Sequence, residues 1–270
     1  MINLSTDLIL VGFGSIFVGI LSALIGLGGG FILVPMYTLV FGLNPEIAIG
    51  TSITATICTT LSATLFQFRD VKVHFPVILR IICTSLPAAV FGSYCIQFLS
   101  GWVLSGIFGI FLLIMAIRLT IWTEIKQLTF RFLPNGNEAE KEEHESAKAL
   151  TNPYLYSTGC LGGLVSGLTG ISGGIIFVPA LISRNVQIQK AVIISLASII
   201  VTSCGAAATS LLLGHVSLPF LISTAIGVFL GAAIGVRLSS YIAPEIVRWM
   251  LGVSVGMMAL IMIIKASTLV

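Results

Sequence analysis

The chain has 270 residues, of which 57% are apolar and 9% are charged, and its formal net charge is +3. A soluble domain carries roughly a quarter charged residues, so this chain could not cover its own surface with polar groups in water. The composition excludes an ordinary soluble protein and predicts an all-α, polytopic transmembrane helical bundle, with bilayer hydrocarbon as its solvent.

Five apolar runs precede a polar stretch, and five more follow it. They lie at about 8–25, 31–42, 46–68, 74–98 and 102–121, then at 154–169, 175–183, 191–213, 217–237 and 246–264. Most of them approach the roughly 20 residues that a spanning helix needs. The second run of each set is shorter and follows a glycine cluster. In each half, the first two runs therefore either both cross the membrane or form a re-entrant pair.

Charged residues concentrate in the polar stretch 122–152, which also contains the turn signals Pro134-Asn-Gly and Asn152-Pro. Mixed charges with turn residues are typical of a solvated connector. We therefore predict a first membrane repeat over 1–121, a cytoplasmic connector over 122–152 and a second membrane repeat over 153–270.

The two sets of runs repeat one another. Residues 26–35 read GLGGGFILVP and residues 170–179 read GISGGIIFVP, an offset of 170 − 26 = 144. After a slip of one residue the offset stays at 143, as in Ser52 and Ser195 (195 − 52 = 143). A series of matches at a constant offset indicates a tandem duplication.

The basic residues predict the orientation. If the turn at 69–73 is cytoplasmic, all of the 13 basic residues except Lys265 lie in or beside cytoplasmic segments, as the positive-inside rule requires. Both termini are then outside. The turn before Ala48 is external while its counterpart before Ala191 is internal, so we predict that the two repeats are inverted. Inverted repeats are a recurring plan of secondary transporters.

The paired glycine clusters are the first candidate site. Glycine frees the backbone and weakens a helix, and irregular backbone survives in a membrane only where protein or water satisfies it. If helices restart at about Phe31 and Ile175, their free N–H groups and positive dipole ends favour an anion. The alternative is close helix packing through G-x-x-x-G pairs. The candidate substrate-binding residues of this kind are Gly28, Gly29, Gly30, Ser172, Gly173 and Gly174.

Hydroxyl side chains are the second candidate, because they can donate to an anion without imposing a fixed charge. The alternative is that they bond the carbonyl four residues earlier or join helices. Arg80 is either a residue that attracts the anion or one that snorkels to the cytoplasmic surface. The candidate hydroxyl residues are Thr51, Ser52, Thr56, Ser195 and Ser198.

Carboxylates are absent from the middle of every apolar run, since all those outside the connector fall near segment ends. This favours a neutral or anionic substrate over a cation. Cysteines and histidines match no metal spacing, and no Ser-His-Asp arrangement is present. We therefore expect no enzyme activity, no metal, no cofactor and no nucleic acid partner.

The two glycine motifs and the order of segments resemble the TauE/SafE family, also called the sulfite exporter family. This resemblance implies transport of small sulfur-containing anions such as sulfite, sulfonates or sulfoacetate. We therefore predict a secondary transporter that exports such an anion. The resemblance also implies a prokaryotic inner membrane. The alternatives are a transporter of another small anion such as a carboxylate, a channel, or a membrane scaffold that transports nothing. The sequence indicates no particular oligomeric state or coupling ion.

Overall fold

In the computed structural model, all regular secondary structure of the described residues is helical. The described residues are 4–25, 28–67, 75–130, 152–184, 186, 188–238, 256, 259–262 and 264. The helices of the first half are α1 (Leu4–Ile25), α2 (Gly30–Pro35), α3 (Pro45–Gln67), α4 (Phe75–Cys95) and α5 (Gly101–Phe130). Those of the second half are α6 (Asn152–Thr169), α7 (Gly174–Ile182), α8 (Ile188–Leu212) and α9 (Leu218–Leu238).

Two short elements extend these helices. A π-helical turn, Met36–Val40, continues α2, and a 3₁₀ turn, Ile96–Phe98, follows α4. Five helices, namely α1, α3, α4, α8 and α9, are long and apolar enough to cross a membrane. The prediction of a polytopic helical bundle is therefore confirmed. The predicted run 246–264 lies largely outside the described residues.

Helix α5 is longer than the apolar run from which it was predicted. The run ends at about residue 121, where the predicted connector begins, yet the helix continues without a break to Phe130. The backbone of 122–130 is thus a continuation of α5. Backbone hydrogen bonding propagates a helix residue by residue once it is nucleated, so helix length is not limited to the apolar stretch.

The outer surface of the bundle is apolar and its interior is rich in hydroxyls. Phe13 and Phe91 expose 70% and 61% of their surface. Ser52, Thr56 and Ser195, on the central helices α3 and α8, are fully buried. A large exposed apolar surface is unfavourable in water but matches lipid. The polar groups face inward, where other protein groups can satisfy them.

Glycines allow two pairs of helices from opposite halves to approach closely, α4 with α6 and α1 with α9. A Cβ atom on Gly92 of α4 would lie 2.7 Å from the Leu164 carbonyl oxygen. One on Gly235 of α9 would lie 2.6 Å from the Ile20 carbonyl oxygen. Gly92 and Gly235 are counterparts at offset 143, and Ile20 and Leu164 at offset 144. The two interfaces therefore use equivalent positions of the two repeats.

The glycines at 227, 231 and 235 pack α9 against α1, because a Cβ on any of them would collide with the backbone of α1. A second row of glycines on α6, which was not predicted from the sequence, lies against the backbone of α4: Gly159, Gly163 and Gly167. These three also follow the G-x-x-x-G spacing, which is typical of close helix contacts in membranes.

Candidate functional site

Short helices begin at both glycine clusters. Gly29 is the N-cap of α2 and Gly173 is the N-cap of α7. The predicted restarts at about Phe31 and Ile175 are confirmed, each one residue earlier. At α2 the first bonds are donated by the Ile32 and Leu33 amides to the Gly29 carbonyl, at 3.1 and 3.2 Å. The amides ahead of them have no acceptor within the helix, as at any helix start.

The second cluster has the same arrangement. The amides of Ile176 and Phe177 both donate to the Gly173 carbonyl at 2.9 Å, so the Gly174 and Ile175 amides precede the first intrahelical bonds. Gly174 and Ile175 are buried. Each cluster thus presents N–H groups and the positive end of a helix dipole to the protein interior.

The two clusters touch each other. A Cβ on Gly30 would collide with the Gly170 carbonyl oxygen and would lie 3.1 Å from the Ile171 Cα. A Cβ on Gly28 would collide with the Ser172 side chain. Elements 140 residues apart in sequence therefore meet at one place, where the absence of side chains lets the backbones approach.

Ser52 of α3 lies beside this contact between the clusters. Its Oγ donates to the Gly170 carbonyl at 3.3 Å and approaches the Gly30 carbonyl at 3.5 Å. Both distances are longer than the usual 2.7–2.8 Å for hydroxyl donors. The neighbouring Thr51 Oγ1 accepts the amide N–H of Ser217 at 3.0 Å. Ser52 thus joins the breaks of both halves, and Thr51 ties α3 to the loop before α9.

Two of the five candidate hydroxyls bond their own helix. Thr56 Oγ1 donates to the Ser52 carbonyl at 3.0 Å, and Ser198 Oγ donates to the Ile194 carbonyl at 2.8 Å. A hydroxyl has one hydrogen, so in this conformation Thr56 and Ser198 cannot also donate to a ligand. For these two residues the alternative interpretation, local back-bonding, describes the structure better than substrate donation.

Ser195 differs from its neighbours. Its Oγ is fully buried and has no hydrogen-bond partner among the described residues. A buried polar group without a partner is costly. Four other buried hydroxyls share this property: Thr64, Ser166, Ser203 and Ser210. The sequence offered one signal for Ser195, its equivalence to Ser52 in the repeat.

Arg80 lies in the second turn of α4 and is partly buried. It takes part in none of the contacts between the glycine clusters, Ser52 and Thr51 described above, and it forms no ion pair with a described residue. The described residues also contain no group of three or more His, Cys, Asp or Glu side chains that could hold a metal ion.

The candidate residues are closed off from solvent. Gly28, Gly29, Gly30, Ser172, Gly173 and Gly174 are buried, as are the five candidate hydroxyls. The five candidate hydroxyl residues expose 0% of their surface, so a ligand could reach them only after the helices separate. This conformation is therefore occluded at the contact between the two glycine clusters.

Comparison with known proteins adds independent findings. Residues 10–262 match the family model described as sulfite exporter TauE/SafE. A probable membrane transporter protein of Methanocaldococcus jannaschii is 29% identical over 95% of this chain and 94% of its own length. The probable membrane transporter protein YunE of Bacillus subtilis is 27% identical over 82% of this chain and 84% of its own length. No solved structure matches the chain.

Proposed function

Because the chain belongs to the sulfite exporter TauE/SafE family and is an integral membrane transporter, we propose that it is a secondary transporter of a small sulfur-containing anion. Sulfite, sulfonates and sulfoacetate are the substrates of this class, and export is the proposed direction. The proposed location is a prokaryotic inner membrane with both termini outside and residues 122–152 in the cytoplasm.

One observation carries the choice of an anion: two buried helix starts, whose first amides precede the first intrahelical hydrogen bonds, lie where the glycine clusters meet. The first amides of a helix, together with the positive end of its dipole, attract a group with negative oxygens. A helix end is worth up to about 2 kcal/mol to a partly buried charge. Two such ends offset part of the dehydration cost of an anion without a buried Lys or Arg.

Ser195 supports the same proposal. It is the counterpart of Ser52, which lies against the carbonyls of Gly30 and Gly170. Its buried hydroxyl has no hydrogen-bond partner among the residues that the structure describes, whereas that of Ser198 bonds the Ile194 carbonyl. We therefore assign substrate donation to Ser195, with Ser52 and Ser172 as neighbouring contacts, and we assign Thr51, Thr56 and Ser198 to shaping the surrounding helices.

The contact between Gly28 and Ser172 supports alternating access by inverted repeats. These residues are counterparts, since 172 − 28 = 144, and they lie directly against each other. Counterparts can touch in this way only near the two-fold axis that relates the repeats. Rocking of one repeat against the other about this contact would open the occluded site to either side in turn.

Direct binding to purified variants tests the anion site. Ser195→Ala should weaken sulfite or sulfonate binding about tenfold, the scale expected for a hydrogen bond to a charged group. Ser198→Ala is the matched control: it removes the same atom one turn away from a hydroxyl that is already bonded, so binding should stay near the wild-type value. Unchanged binding in Ser195→Ala together with loss of binding in Arg80→Gln would place the anion at Arg80 instead.

Uptake into proteoliposomes tests the substrate class. Labelled sulfite and sulfonates should show saturable uptake, while short carboxylates should compete weakly. Preferential uptake of carboxylates would support a transport function but overturn the proposal that the substrate is a sulfur-containing anion. Flux that does not saturate would favour a channel.

A further inference from the structure

Helices α1 and α9 enclose an apolar groove on the outer surface of the bundle. The groove has a volume of about 360 Å³ and is lined by α1 from Leu8 to Ile16 and by α9 from Ser223 to Leu230. Gly12 and Gly227 form its floor, because a Cβ on Gly227 would collide with the Gly12 carbonyl oxygen. The two helices therefore touch through their backbones at the floor, and the larger side chains on either side form the walls.

The groove opens on the side of the bundle that faces lipid. Both α1 and α9 are long and apolar enough to cross a membrane, and the wall residues Phe13 and Ile226 are exposed. Ser223 carries the one polar side chain among the lining residues, and its hydroxyl donates to the Leu8 carbonyl. A water-soluble ligand is oriented in its pocket by polar groups, and this groove offers it no free donor. An occupant of the groove is therefore apolar.

The shape of the groove favours a single hydrocarbon chain over another helix. The eight steps from Leu8 to Ile16 rise about 12 Å along α1, at about 1.5 Å for each residue. Dividing 360 Å³ by this length gives a mean cross-section of about 30 Å². A helix with its side chains is about 10 Å wide, which is a cross-section of about 80 Å². A helix of a second copy could cover the groove but could not enter it, whereas an extended acyl chain can lie inside.

The equivalent interface between α4 and α6 does not have the glycines that form this floor. At offset 144 the counterpart of Gly12 is Tyr156, and at offset 143 the counterpart of Gly227 is Thr84. These counterparts meet in the same register, since the Thr84 hydroxyl donates to the Tyr156 carbonyl at 2.9 Å. The interface between α4 and α6 thus carries a side chain at each position where the other has only hydrogen. The groove belongs to the α1–α9 side and is not a general consequence of the repeat.

We propose that the groove between α1 and α9 binds one acyl chain of a membrane phospholipid. A chain in the groove contacts both walls and the glycine floor, whereas the atoms that line an unfilled crevice have no partners on one side and lose those contacts. The two helices run parallel, since Gly12 lies against Ser223 and Gly235 lies against Ile20. The chain therefore enters from the leaflet in which both helices begin, which is the outer leaflet in the proposed orientation.

Photolabelling of the full-length protein in lipid nanodiscs tests the site. The probe is a phospholipid with a diazirine either near the carboxyl end or near the methyl end of one acyl chain, and mass spectrometry of the digested protein locates the adducts. Segments 8–16 and 223–230 should be labelled several-fold more than their counterparts 152–160 and 80–87. The carboxyl-end probe should label Leu8 and Ser223, and the methyl-end probe should label Ile16 and Leu230. Equal labelling of the two interfaces, or the reverse order along the groove, would overturn the inference.

Two matched tryptophan variants separate a bound chain from general contact with lipid. Ile226 and its counterpart Cys83 (226 − 143 = 83) are both exposed, so neither substitution places a larger side chain in the core. Ile226→Trp should fill the groove and remove most of the label from 8–16, while Cys83→Trp should leave that label unchanged. Full labelling of 8–16 in a folded Ile226→Trp variant would contradict a bound chain.

A photoreactive residue in the wall of the groove tests the alternative occupant. Phe13→benzoylphenylalanine should form adducts with phospholipid in the same nanodiscs. Capture of a second copy of the chain in place of lipid would assign the groove to a dimer and overturn the proposal. Because none of these measurements uses a transported anion, a failure of the proposed transport function would leave their results unchanged.

Discussion

The two glycine breaks reach the same place by different backbone paths. In the first break, Gly28 and Gly29 are successive left-handed residues, with φ of 77° and 82°, directly before α2. In the second, the left-handed residue is Gly170, with φ of 68°, at the end of α6. Gly173 caps α7 at φ −58°, which any residue can adopt. The first break needs glycine before its helix because of conformation, and the second does not.

The difference teaches which glycines are required by backbone conformation and which by space. A non-glycine residue in the left-handed region costs about 1–2 kcal/mol. A Cβ that meets backbone has no rotamer to escape into, whereas a Cβ that meets the end of a side chain can push it aside. At Gly30 a Cβ would collide with backbone. At Gly28 it would collide with a side chain, and φ is also left-handed. At Gly173 it would collide mainly with the end of a side chain.

Gly30→Ala should have the largest effect, because the new Cβ would collide with the Gly170 carbonyl and no side chain can yield. Overpacking of this kind costs about 3 kcal/mol or more. We expect a large fall in the apparent melting temperature of the purified protein and loss of transport. Gly106→Ala is the control, since nothing lies within 4 Å of a Cβ there. A stable, active Gly30→Ala variant would mean that the two breaks do not touch.

Gly28→Ala should lower the free energy of unfolding somewhat less than Gly30→Ala. Its cost has two separable parts, a steric collision and an unfavourable backbone conformation. Its Cβ would collide with the Ser172 side chain and lie 2.9 Å from Thr56 Cγ2, and its φ of 77° is unfavourable for alanine. Adding Ser172→Gly should recover the steric part and leave about 1–2 kcal/mol of conformational cost. Thermal unfolding of both single variants and the double variant measures the coupling. Strict additivity would show that residues 28 and 172 do not share one space.

Much of this arrangement follows from the sequence because it is periodic. The apolar runs predicted the spanning helices, and the glycine clusters predicted the restarts at Gly30 and Gly174 within one residue. The hydrogen-bond partners of the buried hydroxyls could not be predicted from the sequence. The repeat sets Ser195, the counterpart of Ser52, apart from Ser198, the counterpart of Ala55, but it does not predict that Ser198 bonds the Ile194 carbonyl while the Ser195 hydroxyl has no partner among the described residues. The choice between a local carbonyl and another acceptor depends on rotamers, which a sequence pattern does not specify.

Contacts between α3 and the loop that joins α8 to α9 could not be predicted from the sequence either. The pairs Thr51 with Ser217 and Glu46 with His215 join residues about 170 apart. Both pairs break the repeat rather than follow it, since the counterpart of His215 is Lys72 and that of Glu46 is Gln189. Repeats predict what is shared between the halves. Features that make one end of the bundle different from the other appear only when both halves are placed together.

Gly173→Ala should have the smallest effect of the three substitutions, although Gly173 belongs to the same motif. Its φ of −58° suits alanine, so conformational strain is absent. The new Cβ would lie 2.7 Å from Phe177 Cζ and 3.0 Å from the Gly162 carbonyl oxygen. The ring end can move, so we expect a cost of about 1 kcal/mol, at the low end for overpacking.

A larger side chain at residue 173 converts this mild change into a functional test. Gly173→Leu cannot be relieved by the ring alone and should fill the space before the α7 amides, abolishing anion binding while membrane insertion continues. Comparing melting temperature with sulfite binding across glycine, alanine and leucine separates stability from the site. If binding falls only in step with stability, Gly173 serves packing alone. If binding is lost while the protein remains folded, the α7 amides contribute to the anion site.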